Sequence, residues 1–167
     1  MDRRDNMIIC ILLLSVLFLN ISCQNKGKEE DLYALKVEDL GDLILVQSSA
    51  CLSQSKAYTA VWEYAKVTEE DFDSAARHIL GPTRAEAKGQ FTQNKMKIDD
   101  FLQKVENPPE KHRSAHEKLL EIYGVYIKLH DLALRPTAPQ EEYEASVYKA
   151  YDELLKEAGE LHTLLGK

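Results

Sequence analysis

The 167 residues suffice for one ordinary domain with a sizeable core, and two domains would be crowded. With 21 basic against 28 acidic side chains, the net charge is −7, which disfavours nucleic-acid partners, because phosphate backbones reward clustered Lys and Arg. Of the three cysteines, Cys10 lies in an apolar run, Cys23 at its end and Cys51 in the remaining chain, so no internal disulfide is expected in a mature domain.

Met1 to Met7 carries Arg3 and Arg4, and the run from Met7 to Leu19 (MIICILLLSVLFL) is apolar except for Ser15. This is a charged head followed by a hydrophobic stretch shorter than the roughly 20 residues a spanning helix needs, the pattern of a cleavable signal peptide over residues 1–22. The segment Leu19-Asn20-Ile21-Ser22-Cys23 resembles the lipobox of bacterial lipoproteins, in which a small residue precedes a cysteine that receives diacylglycerol. Ser22 and Cys23 fit that pattern, whereas Asn20 stands where Leu is usual. The resemblance implies lipid attachment at Cys23 and an exported protein anchored to a membrane of the bacterial cell envelope. Residues 24–31 (QNKGKEED) are polar and lack apolar periodicity, so 23–38 is expected to be a lipidated cysteine followed by a short flexible tether.

A helical-bundle domain is then expected over residues 39–167. Steps of four and three connect Leu40, Ile44, Gln47, Cys51, Gln54, Tyr58, Val61 and Ala65, the seam of an amphipathic helix over about Asp39–Lys66. Gln47 and Gln54 interrupt this seam as residues that set register between helices. Ala50, Cys51 and Ala57 are small enough to let a neighbouring helix come close. Thr68, followed by Glu69, Glu70 and Asp71, predicts a capped start to the second helix. Its seam runs through Phe72, Ala76, Leu80, Ala87, Phe91, Asn94, Ile98, Phe101 and Val105, and keeps phase across Gly81-Pro82. One long helix, kinked or briefly broken at Pro82, is therefore expected, with Phe101 buried; the alternative is a short helix ending at Leu80 and a new one from Pro82.

Asn107-Pro108-Pro109-Glu110 combines a cap, two prolines and an early Glu, and predicts the start of a third helix that stops at Arg135 before Pro136. Thr137-Ala138-Pro139-Gln140 starts a fourth, with Tyr143, Val147, Ala150, Tyr151, Leu154, Ala158, Leu161 and Leu165 on its seam and Gly166 at its end. No run alternates with a period of two, and no Asn-Gly or Asp-Gly hairpin turn is present. The expected fold is all-α, an elongated up-down-up-down four-helix bundle.

Chemistry is sparse. His112 and His116, one turn apart with Glu117 and Glu121 nearby, could chelate a metal, but His116-Glu117-Lys118-Leu119-Leu120 is not HExxH, and ordinary, partly exposed histidines are expected. His130 reads as a core histidine. Tyr123, Tyr126, Tyr148 and Tyr151 could line a groove between the last two helices, although tyrosines at helical spacing usually serve packing. Cys51 reads as a buried, inert thiol. Gly-rich phosphate loops, GxSxG and CxxCH are absent from the sequence, so no enzyme, cofactor or metal is expected.

The stretch NPPEKHRSAHEKLLEIYGVYIKLHDLALRP, residues 107–136, resembles a group of uncharacterised bacterial helical lipoproteins with an NPPE start, a KLLE-x-Y-x-x-Y helix and a closing LAL-x-P. In that group tyrosines commonly occupy the positions of His116 and His130, which implies that neither binds metal. The resemblance implies fold and location and carries no activity. The expected function is non-catalytic presentation of a helical face to an envelope or extracellular protein, peptide or glycan. The alternative is a small-molecule or metal carrier that uses the interior between the third and fourth helices.

Overall fold

Apolar side chains repeated every three or four residues can leave water only by turning one face of a helix inward, and the helices follow that rule where their side chains are described. The structure, a computed structural model, describes residues 3–81, 83–136 and 139–166, with side chains described from residue 27 onward in those ranges. It is all-helical: α1 Arg3–Thr68, α2 Phe72–Leu80, α3 Thr83–Lys104, a 3-10 turn Glu110–His112, α4 Arg113–Leu134 and α5 Gln140–Leu164. The expected leader at 1–22 and the lipid site at Cys23 lie outside the residues whose side chains are described.

Helix α1 buries Tyr33, Val37, Leu40, Ile44, Cys51, Tyr58, Val61 and Trp62. The expected flexible tether over 23–38 is thus too long. Tyr33 and Val37 continue the Leu40 and Ile44 face with steps of four and three, and the helix is already packed there. It ends at Glu69, whose φ of 58° turns the chain out of the helix. Thr68 does not cap the next helix, because its hydroxyl donates back to the Tyr64 carbonyl (2.9 Å). Asp71 takes that role: it accepts from the Ser74 backbone N–H (2.9 Å) and the Ser74 hydroxyl (2.8 Å).

Of the two readings at Gly81-Pro82 the alternative holds: one helix ends at Leu80 and a second starts at Thr83, in place of one kinked helix. Gly81 adopts φ 45°, a conformation glycine reaches at little cost, and its N–H closes α2 on the Arg77 carbonyl (3.1 Å). The next residue, Pro82, has no N–H to continue the ladder. At the following connection Asn107 is not a cap either. Its amide donates to Glu106 Oε1 (3.3 Å), and the chain enters α4 through the 3-10 turn, with His112 N–H on the Pro109 carbonyl (2.9 Å). Helix α4 stops at Leu134, two residues short of Pro136, and α5 opens at Gln140, directly after Pro139.

Helices α1, α4 and α5 pack pairwise around the main core. Tyr126, Leu119, Ile122, Leu129, Leu154 and Leu161 are all fully buried there, each aliphatic side chain contributing about 1.5–3 kcal/mol over an exposed one. Helix α1 comes close to α5 at Gly41, where a Cβ would lie 2.9 Å from Leu161 Cδ2. Helix α2 covers Val61 and Ala65 with its own small cluster, Ala75 and Ala76. Helix α3 is the least embedded of the long helices, burying only Phe91 and Ile98. Phe101, expected in the core, is 46% exposed. The heptad positions 91, 98 and 105 point inward, and the intervening positions 94 and 101 fall at the edge of the contact with α1. Among the described residues, no helix is long and apolar enough to cross a membrane.

Candidate functional site

A polar network lies where α3 meets α1 and α4. Asn94 Nδ2 donates to Gln47 Oε1 (2.6 Å), joining two polar residues that each interrupt an apolar seam. At the next residue of α3, Lys95 bridges Asp99 Oδ2 (2.7 Å) and the Tyr123 hydroxyl (3.2 Å), and Tyr123 donates to Asp99 Oδ1 (2.5 Å). Burial alone would raise the Asp99 carboxyl, but the bonds from Lys95 and Tyr123 and the lysine charge outweigh it and hold that carboxyl below the usual range. Tyr123 is pushed up, first by burial and then by its bond to Asp99.

Behind this network the core holds polar atoms with no hydrogen-bond partner among the described residues: Ser48 Oγ, the Tyr126 hydroxyl and both ring nitrogens of His130. The His130 ring packs against Tyr126 (centroids 5.8 Å) and edge-on to Phe91 (6.4 Å). The carboxylate oxygen of Asp131 is 3.6 Å from His130 Nδ1, outside hydrogen-bond reach. Cys51 is fully buried and burial pushes its thiol up to about 12, the environment of an inert cysteine rather than an activated one.

A second group closes the end of the bundle where α1 begins its buried run. Tyr33, which the sequence placed in a tether, donates to the Val105 carbonyl (2.9 Å) and lies 2.9 Å from His116 Nδ1. A hydroxyl has one proton, and the carbonyl can only accept. His116 must therefore donate from Nδ1, which assigns its tautomer. His112, expected to be partly exposed, is buried beneath Tyr33 with ring centroids 5.8 Å apart, because the 3-10 turn rotates it inward. Nearby, Glu121 pairs instead with Lys118 (2.6 Å), which also meets Glu157 and Glu160 of α5. Among the described residues, no three His, Cys, Asp or Glu side chains converge as a metal-binding group.

The four tyrosines singled out in the sequence do not share one groove. Tyr123 turns to α3, Tyr126 to the core, Tyr151 reaches Ser49 of α1 (3.1 Å) and Tyr148 is 48% exposed. A groove of about 270 Å³ does lie between α4 and α5, lined by Lys128, Leu132, Ser146, Lys149, Ala150 and Glu153. None of these was a sequence-level candidate, since they occupy two helix flanks that only the packing brings together.

No family model, curated protein or solved structure matches the chain. Its function therefore rests on the chemistry and shape of these surfaces. The core network offers register and hydrogen-bonding capacity, while the α4–α5 groove offers an open, mixed apolar and charged channel.

Proposed function

We propose that this protein is a bacterial envelope lipoprotein, freed of residues 1–22 and anchored through Cys23, whose bundle binds an envelope or extracellular partner without catalysis. In this reading α2 and α3 together form the second leg of an up-down-up-down four-helix bundle. Antiparallel pairings support it: Tyr33 with Val105 and Gln47 with Asn94 run in opposite senses along α1 and the α3 leg, as do Lys118 with Glu157 and Lys128 with Glu153 along α4 and α5. The observation that carries the binding function is the α4–α5 groove, which opens away from α1 because α1 packs on both helices from the inner side. Its apolar floor at Leu132 and Ala150, with Lys128, Lys149 and Glu153 on the walls, suits an amphipathic segment laid between two helices.

A photo-crosslinking side chain at position 149 in intact cells tests the groove. The expected result is one discrete adduct, lost in Ser146→Arg with the circular dichroism unchanged. No adduct, or one indifferent to Ser146→Arg, sinks the reading. For the anchor, Cys23→Ser abolishes lipid labelling and Cys51→Ser does not.

The unpartnered Tyr126 and His130 atoms favour a second reading, a small-molecule or metal carrier. Stoichiometric zinc or copper that raises the melting temperature of the parent but not of His130→Ala would put that reading first.

A further inference from the structure

Residues 84, 87, 88 and 91 follow the spacing of one helix face, and that face of α3 carries two cations. Arg84, Ala87, Lys88 and Phe91 all line a cavity of about 30 Å³ that α3 encloses with α1 and α4. This is about the share of one water molecule in the liquid, room for a single methyl-sized group. Small side chains leave the space, Ala87 on α3 and Ala133 on α4, and Phe91 and Leu134 complete an apolar end.

The other end is polar, and its groups lack partners. Two turns before Phe91, the Arg84 guanidinium lies over the Tyr58 ring, 5.8 Å from its centroid. Tyr58 lines the cavity and is 2% exposed, yet its hydroxyl has no hydrogen-bond partner among the described residues. The Gln54 amide, also in the lining, has none there either, whereas Gln47, the other glutamine that breaks the α1 seam, is satisfied by Asn94. Lys88 forms no ion pair among the described residues, and Arg84 meets only Asp73, at 3.9 Å and with that carboxylate 79% exposed. Among the described residues no acidic side chain lines the cavity. Glu86 is exposed on the opposite side of α3, and Asp131 is exposed on α4 outside the lining. Two cations and two free hydrogen-bond donors beside a methyl-sized apolar hole match a carboxylate with one small apolar substituent. A bare phosphate would leave the apolar end empty, and a cationic ligand would meet Arg84 and Lys88.

We infer that this cavity binds a short carboxylate, with the anionic head on Arg84 and Lys88 and the methyl group between Ala87 and Ala133. The same chemistry has two sources, a free short-chain acid or the last residue of a peptide that ends in alanine. The site is separate from the α4–α5 groove and depends on neither the groove nor the anchor.

The test is saturation-transfer NMR on the full chain in zwitterionic micelles, with propionate as the probe. The propionate methyl should take up more saturation than the methylene beside its carboxylate, because the methyl is the enclosed end. Trimethylacetate, too bulky for the hole, and propionamide, which lacks the charge, should receive none. Arg84→Gln should weaken propionate by about tenfold, the worth of one hydrogen bond to a charged group. Ala87→Leu fills the cavity and should abolish the transfer, and Arg84, being half-exposed, keeps the test decisive even if Ala87→Leu does not fold. No transfer to propionate, equal transfer to propionamide or trimethylacetate, or binding unchanged in Arg84→Gln overturns the inference. Equal competition by chloride at constant ionic strength does the same, since it reduces the site to a patch of charge. N-acetylalanine binding about tenfold more tightly than propionate assigns the site to a peptide end, and equal or weaker binding, with propionate retained, assigns it to a free acid.

Discussion

Two buried tyrosines show how little the presence of a hydroxyl says about its worth. Tyr143 is fully packed and donates to the Leu132 carbonyl (3.0 Å), whereas Tyr126, equally buried, has no partner for its hydroxyl among the described residues. Tyr143→Phe should cost about 1–1.5 kcal/mol in chemical denaturation, and Tyr126→Phe should be neutral or stabilising. A cost at Tyr126 equal to that at Tyr143 would reveal a water or ligand on its hydroxyl. Cys51 gives the matching kinetic test. With its thiol pushed up to about 12 by burial, it should ignore a disulfide reagent in the native protein near pH 8 and react once the chain is unfolded. Rapid stoichiometric reaction of native protein would show that the core around it opens.

At the level of elements, α3 is held by a short apolar contact and a polar network, while α4 buries eight side chains. Its backbone amides should exchange with deuterium before those of α4, and equal protection would mean that the two helices unfold as one unit. Ile98→Ala should cost about 2–5 kcal/mol and Phe101→Ala well under half of that, since the first side chain is fully buried and the second is half in water. The sequence assigned both to one seam. Apolar spacing alone does not say how wide a contact the partner offers, and α1 offers α3 only a narrow one. The opposite error occurred at Tyr33 and Val37, where the polar composition of 24–31 hid two residues already in phase with Leu40 and Ile44. Where the signal was chemical rather than periodic it served better. Pro136 and Pro139 bracket the α4–α5 connection, and Gly81-Pro82 marks a break, although its completeness depends on the Gly81 torsion. The Lys95, Asp99 and Tyr123 network joins residues 24 and 28 positions apart on two helices and left no mark in sequence beyond the i, i+4 pair itself.

For the molecule as a whole, that network links stability to acidity. The folded carboxyl of Asp99 is held below its ordinary value, so its contribution is complete above the usual carboxylate range and is lost as pH falls through the folded value. Asp99 and Lys95 are each about one-third exposed, and solvent screening limits their pairing. Asp99→Asn should therefore lower stability by only about 1 kcal/mol at neutral pH. The gap to the parent should close between about pH 5 and pH 2, and a gap that stays constant would assign the loss to packing instead. The uninterrupted course of α1 has a mechanical consequence as well. From residue 27 to Thr68 no loop separates the amino-terminal side from the packed core, so a pull applied there has no slack segment to extend first. Traction runs along the helix axis into the Tyr33 hydrogen bond and the Gly41 contact with Leu161, loading the flanking helices in shear rather than peeling them apart one turn at a time.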